Sequence, residues 1–258
     1  MQLVIFSQAF SFYLPRNDLN FRAMTITLLR DGRAEISQDP LFEKVSHLDC
    51  TFEWIGGQYW LHSDNPKERP IGIQVDQELN RHQDYFKKSS LQKELLAKAV
   101  GVKGPLRPRV LDLSAGLLGD SLLLLSFGCE VTAIERHPVV SFLIQSSLAN
   151  AHDAKLKKFH FHAEDAKQYL ANAKESDVIY FDPMFEDANH KASPRKEMRI
   201  FRNFVGPDQD ALEIFKLAIE LRPRRLVVKR PRQSVTLGPQ PSLQFIGKST
   251  RYDVYFSI

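Results

Sequence analysis

Apolar and polar positions follow two different styles along the chain. Up to about residue 75 the apolar runs are short and β-like, such as Met24 to Leu29 and Ala34 to Ser37 around the turn dipeptide Asp31-Gly32. A second hairpin is predicted where Phe52-Glu53-Trp54-Ile55 and Gln58-Tyr59-Trp60-Leu61 flank Gly56-Gly57, and Met1 to Leu14 reads as strand. Ser63 to Pro70 is polar and carries two prolines, the composition of a linker or long loop. Lys88 to Val100 is predicted to be helical from the spacing of Leu91, Leu95 and Leu96, with Gly101 as its stop. These breaks give a small β-rich N-terminal domain over 1–75, a linker and helix over 76–108, and a larger domain over 109–258.

From Arg109 onward strand-like and helix-like runs alternate, which predicts a parallel sheet wrapped by helices. The strands fall at 109–114, 129–135, 158–164, 177–182 and 225–230, with helices at 118–127, 138–151, 165–173 and 208–221. After Pro231 the order changes: Leu243 to Ile246 and Tyr252 to Ile258 leave room between them only for a turn, so the chain closes on a hairpin. The fold class is therefore α/β, a Rossmann-like sheet with an antiparallel terminal hairpin as in class I methyltransferases. A nicotinamide dehydrogenase would be expected to continue with parallel strands.

Composition narrows the function classes. The 258 residues suffice for one sizeable core and a smaller one. A net charge of +4 fits a polyanionic partner without requiring one. Cys50 and Cys129 are far apart and form no CxxC pair, so neither a disulfide framework nor a zinc site is expected. His160 and His162 have no matching ligand nearby and read as structural, leaving no metal site. The apolar start lacks a basic leader and cleavage signal, and no run approaches the eighteen or so apolar residues that span a bilayer. A cytoplasmic protein without a membrane partner is the expectation.

Four constellations carry candidate chemistry. Asp112 to Asp120 runs from strand through a glycine-containing turn into an apolar helix, where Gly116 and Gly119 let the backbone approach a nucleoside or amino-acid ligand closely. Asp120 either contacts such a ligand or simply favours the positive end of the helix dipole. Glu135 ends the next strand, where a carboxylate accepts hydrogen bonds from ribose hydroxyls, or else is a solvated strand end. Arg136 beside it either lines the same pocket or lies on the surface. Glu164 and Asp165 follow the third strand, placed to meet an adenine amino group or to cap the helix that begins there.

The strongest signal is Asp182-Pro183-Met184-Phe185, directly after the apolar strand Val178-Ile179-Tyr180-Phe181. It resembles the (Asp/Asn/Ser)-Pro-Pro-aromatic motif of enzymes that methylate amide or exocyclic nitrogens, with Met184 in place of the second proline. Such an amine is a poor nucleophile because its lone pair is delocalised. Hydrogen bonds to the Asp182 carboxylate and the Pro183 carbonyl would localise it, and Phe185 would stack on the base. A basic set follows, Lys191, Arg195, Lys196 and Arg199 and then Lys229 and Arg230, in position to grip phosphates or to form a solvated face.

Taken together, the chain resembles the bacterial ribosomal RNA small subunit methyltransferase J family. The similar blocks are Leu96 to Gly104, Asp112 to Asp120, Gly128 to Val131, Glu135 to Val140, Asp182 to Phe185, Lys196 to Arg199, Val205 to Asp208, Val227 to Pro231 and Arg251 to Tyr255. The resemblance implies a methyl transfer from S-adenosylmethionine to the N2 amine of a guanosine in small-subunit (16S) rRNA, free or in the assembling 30S subunit. It places Gly119, Asp120, Glu135, Arg136, Glu164, Asp165 and Asp182 at cofactor-contacting positions. The family's Gly-Leu-Gly-Arg-Asp stands here as Gly116-Leu117-Leu118-Gly119-Asp120, two serines after the third strand stand as Glu164-Asp165, and a glycine-rich basic stretch is represented only by Tyr85 to Ser90. Two other readings share these residues: methylation of an adenine N6 or a protein amide, and a nucleic-acid-binding protein of this fold without catalysis.

Overall fold

The computed structural model describes residues 10–11, 25–28, 33–36, 50–55, 58–63, 69–173, 176–184 and 208–256. The chain divides into two compact units, and the described strands of the first lie within Met1–Gly72. They are β1 (Phe10–Ser11), β2 (Thr25–Leu28), β3 (Arg33–Ile36), β4 (Cys50–Ile55) and β5 (Gln58–Ser63), paired in that order and antiparallel throughout. Both hairpins read from the sequence are present as strand pairs, Leu28 opposite Ala34 and Ile55 opposite Gln58; their turn residues lie outside the described residues.

The second unit, Ile73–Glu186 with Pro207–Ile258, opens with helices α1 (Val75–Lys88) and α2 (Leu95–Val100). The sequence reading placed one helix over 88–100. Instead Ser89 is extended, the Ser90 hydroxyl accepts from Gln92 N at a single 3-10 turn, and α2 starts afresh, ending at Gly101 in the left-handed region. Serines compete with a helix in this way by bonding their own backbone. Helix α1 escaped prediction because only Val75 and Leu79 of its 14 residues are fully buried.

A seven-stranded sheet follows: β6 (Arg109–Asp112), β7 (Glu130–Glu135), β8 (Phe159–Ala163), β9 (Val178–Phe181), β10 (Arg225–Pro231), β11 (Leu243–Ile246) and β12 (Thr250–Tyr255), in the spatial order β11-β12-β10-β9-β6-β7-β8. Pairing is parallel from β10 to β8 and antiparallel on both sides of β12. The terminal hairpin thus docks by its second strand rather than its first. The central strands are continuous apolar runs because helices cover both faces; all four residues of β9 are buried. Helices α3 (Gly119–Ser126), α4 (Pro138–Ala149), α5 (Ala166–Asn172) and α6 (Ala211–Glu220) fill the connections. The chain leaves β6 for β7 and β8 on one side and returns to β9 on the other, so a crevice opens at the carboxyl ends of β6 and β9.

Between β10 and β11 no helix covers the sheet; residues 232–242 do so as a loop. Arg230 donates to the Val235 carbonyl and Arg251 to the Arg232 carbonyl. Arg251 is itself held by a two-point pair with Asp253, which is fully buried and also takes a hydrogen bond from Gln244. The loop then lies so close to the core ring of Phe215 that a Cβ on Gly238 would come within 2.3 Å of it. Among the described residues no helix is long and apolar enough to cross a membrane. Gly238→Ala should overpack this contact at about 1–3 kcal/mol, a fall in melting temperature of roughly 3–10 °C. An unchanged transition in a thermal melt followed by circular dichroism would show that the loop does not rest on Phe215 in solution.

Candidate active site

Strand β6 ends in Asp112, whose carboxylate is buried beneath the turn that follows. One oxygen accepts from Ser114 N and the other from the Ser121 hydroxyl, so Asp112 ties the start of the turn to the first turns of α3. Burial pushes its carboxyl up to about 7 against those hydrogen bonds. The turn has two left-handed residues, Gly116 at φ 50° and Leu118 at φ 63°. For leucine that conformation costs about 1–2 kcal/mol, offset by a side chain with no exposed surface. Gly119 faces open space, since a Cβ there would meet nothing within 4 Å.

Glu135 ends β7 and is 8% exposed. Its two oxygens accept from Gly116 N at 2.9 Å and His137 N at 2.7 Å, clasping the glycine turn from the neighbouring strand. Burial raises its carboxyl to about 7. Arg136 turns away from this carboxylate into a cluster of acids. It donates to both oxygens of Asp210 and to Asp208, with Asp165 at 3.7 Å. Asp208 in turn accepts from Met184 N at 2.7 Å while its own N–H reaches the Met184 carbonyl. The guanidinium, read from sequence as pocket lining or surface, thereby anchors the Asp-Pro-Met segment to the entrance of α6.

At the end of β9, Asp182 N donates to the Ser114 hydroxyl, which joins this strand end to the turn after β6. Its carboxylate is 2.9 Å from Lys229 Nζ, and the same ammonium donates to Asp120 at 2.7 Å. The Tyr180 hydroxyl donates to that Asp120 oxygen as well. Burial alone would lower the Lys229 pKa; the carboxylates of Asp182 and Asp120 reverse this and raise it. Lys229, a phosphate-contact candidate in the sequence, is thus paired here with two carboxylates at the border of the crevice. Arg230 departs further from that expectation, being 5% exposed with its guanidinium on the Val235 carbonyl.

The geometry brings Asp112, Gly116, Gly119, Asp120, Glu135 and Asp182 to one edge of the sheet, with Pro183 buried behind Asp182. Asp165 caps α5 through Lys167 N. Glu164 lines a cleft of about 520 Å³ beside α5, with Arg109, Glu130 and Thr132 from the opening residues of β6 and β7. Phe185, Lys191, Arg195, Lys196 and Arg199 lie outside the described residues. Ser114, Ser121, Tyr180 and Asp208 escaped the sequence reading. Tyr180 carried a signal, a hydroxyl in an otherwise apolar run, whereas Asp208 meets Arg136 only through the fold.

This edge suits a ligand bearing hydroxyls and positive charge. Each Glu135 oxygen takes one N–H and keeps a further lone pair for a hydroxyl. Open space lies in front of Gly119, at the positive end of α3. The carboxylates of Asp120 and Asp182 outnumber their shared ammonium.

Residues 57–257 match a family model described as a putative SAM-dependent methyltransferase. Curated relatives named ribosomal RNA small subunit methyltransferase J include one from Thioalkalivibrio sulfidiphilus, 43% identical over 197 residues covering 73% of this chain and 77% of that protein. Another, from Cellvibrio japonicus, is 44% identical over 176 residues, covering 63% of this chain and 66% of that one. Among solved structures, a SAM-dependent methyltransferase from Neisseria gonorrhoeae is 27% identical, covers 86% of each chain and superposes with a TM-score of 0.63.

The raised carboxyl of Glu135 has a consequence for stability. With an ordinary value of 4.5 unfolded and about 7 folded, the native protein holds more protons than the unfolded chain in that window, so stability falls as pH rises through it. Asp112 acts in the same direction. Thermal melts between pH 4.5 and 7 should therefore decline less steeply for Glu135→Gln than for the wild type. Equal slopes would mean that Glu135 ionises normally.

Proposed function

Because the chain belongs to the ribosomal RNA small subunit methyltransferase J family of SAM-dependent methyltransferases, we propose that it methylates the exocyclic N2 amine of a guanosine in 16S rRNA. The observation that carries the site assignment is the position of Asp182 at the strand-order reversal, tied to the glycine turn by Ser114 and to Asp120 through Lys229.

S-adenosylmethionine supplies an electrophilic methyl group on a sulfonium. Glu135 holds the ribose through its remaining lone pairs, Gly116 and Gly119 give the backbone room for the nucleoside and the amino-acid portion, and Asp120 attracts the ammonium of that portion. Asp112 acts beneath them as a positioning residue through Ser114 and Ser121. Arg136 and Asp165 position the Asp182 segment and α5 through the acid cluster. Asp182 and the Pro183 carbonyl accept the amine hydrogens, restoring nucleophilic character to its nitrogen and aiming it along the transfer line; alignment of this kind supplies much of the rate in such reactions. Phe185, two positions beyond Pro183, stacks on the base. Lys191, Arg195, Lys196 and Arg199 take the phosphates, in a cytoplasmic enzyme acting on rRNA or on the assembling small subunit. A paired guanine would first have to leave its partner, because pairing occupies the N2 amine.

The test is transfer from labelled S-adenosylmethionine to under-methylated small-subunit rRNA or subunits, with nucleoside mass analysis. The wild type should yield a methylated guanosine. Asp182→Ala should lose at least about a hundredfold in rate while still binding the cofactor. Methyladenosine as the product would move the target to adenine N6, and undiminished turnover in Asp182→Ala would remove the role given to this carboxylate.

A further inference from the structure

Lys229 is not used by the mechanism above, yet it occupies the centre of the edge. Its ammonium stands 2.7 Å from Asp120 and 2.9 Å from Asp182, two carboxylates that arrive from opposite sides of the strand-order reversal. Its side chain is 27% exposed, so it borders the crevice and is not sealed beneath it. The groups that act electrostatically on this spot come from every neighbouring element. Among the described residues they are Asp120 and Asp182 themselves, Asp112 below them, Tyr180 from β9, Arg230 from β10, Tyr252 from β12 and, more remotely, His82 from α1 and Glu94 ahead of α2. Tyr180 and Tyr252 keep their protons, since burial first and the Asp120 carboxylate second raise both hydroxyls. Among the described residues, two carboxylates and one ammonium meet at this spot, with the Arg230 guanidinium, which also feels Asp182, turned to the Val235 carbonyl, so Lys229 offsets one of the two negative charges there.

We propose that Lys229 is a specificity-determining residue that sets the charge of the transfer site and with it the balance of affinity between the sulfonium donor and the neutral sulfide left after transfer. The proposal rests on the methyltransferase reading. S-adenosylmethionine and S-adenosylhomocysteine share the adenosine and the amino acid, so contacts to those parts cancel when the two affinities are compared. What remains is one methyl group and one unit of positive charge on sulfur. A pair of bare carboxylates would hold that charge tightly in the bound ground state, and binding of that kind does not accelerate transfer. The ammonium offsets one carboxylate and relaxes the hold on the donor, at the expense of a relatively better bound product.

The experiment is calorimetric titration of the full-length protein with each of the two compounds. It compares the wild type with Lys229→Met, which keeps the length of the side chain without its charge, and Lys229→Arg, which keeps the charge. In a partly hydrated cleft one unit charge alters the affinity of a neighbouring cation by roughly two- to sixfold. Lys229→Met should shift the affinity ratio toward S-adenosylmethionine by that factor, and Lys229→Arg should retain the wild-type ratio. A merely structural lysine would weaken both compounds together and leave the ratio unmoved, which overturns the proposal. Should circular dichroism show Lys229→Met to be unfolded, Asp120→Asn decides the matter. Removing a negative charge should shift the ratio by a similar factor toward S-adenosylhomocysteine, and a constant ratio there overturns the proposal equally. A wild type that binds neither compound defeats both this inference and the methyltransferase reading, whereas binding of both with an unmoved ratio defeats this inference alone.

Discussion

Asp120 and Asp182 present carboxylates to the same point, and the ammonium of Lys229 between them makes that approach tolerable. Without it the two carboxylates would repel across a partly dehydrated gap, and removing the central partner of such a set leaves uncompensated charge. The bridge ties three strands at their carboxyl ends: β6 through the turn that leads to Asp120, β9 through Asp182 and β10 through Lys229 itself. Tyr180, buried in β9, adds a hydroxyl donor to Asp120 and so fixes the face of the carboxylate that meets the lysine.

The sheet supplies the rest of the alignment through backbone and hydroxyl links. Ser114 receives Asp182 N and donates to Asp112, so the segments after β6 and β9 share one hydroxyl. Glu135 reaches across from β7 to Gly116 N. On the outer side Arg136, Asp208 and Asp210 join the end of β7 to the start of α6 and, through Met184, to the segment after Asp182. The first two links cross between neighbouring strands and the third joins the end of β7 to the segment after β9, so displacement of one strand end would be felt at the others. The described part of the site is held by strand ends, as expected where a reaction depends on alignment.

Much of this was legible in the sequence, for a physical reason. Parallel strands covered on both faces must be continuous apolar runs, and Val178 to Phe181 or Leu226 to Val228 can be read as little else. The carboxylates at strand ends were legible too, since a polar residue closing an apolar strand marks the edge where ligands bind. Partners distant in the chain were not. Arg136 and Lys229 are charged residues whose neighbours lie in other segments, and sequence alone gave them pocket or phosphate roles because charges are usually solvated. Leu118 was missed for another reason: glycine is the residue expected at a left-handed position, and here a fully buried leucine takes it while the neighbouring Gly119 faces open space. The loop after Arg230 replaces a covering helix by carbonyl contacts from two arginines, which periodicity cannot reveal.

The central claim is that the adenosyl group binds where β6, β7 and β9 end, above the bridge formed by Lys229. A crystal structure of the protein with S-adenosylhomocysteine tests it most directly. The account predicts the ribose hydroxyls on the Glu135 carboxylate and the sulfur on the side of the crevice that Asp182 borders. Electron density for the ligand in the cleft beside α5, among Arg109, Glu130 and Thr132, with nothing added to Glu135, would contradict it.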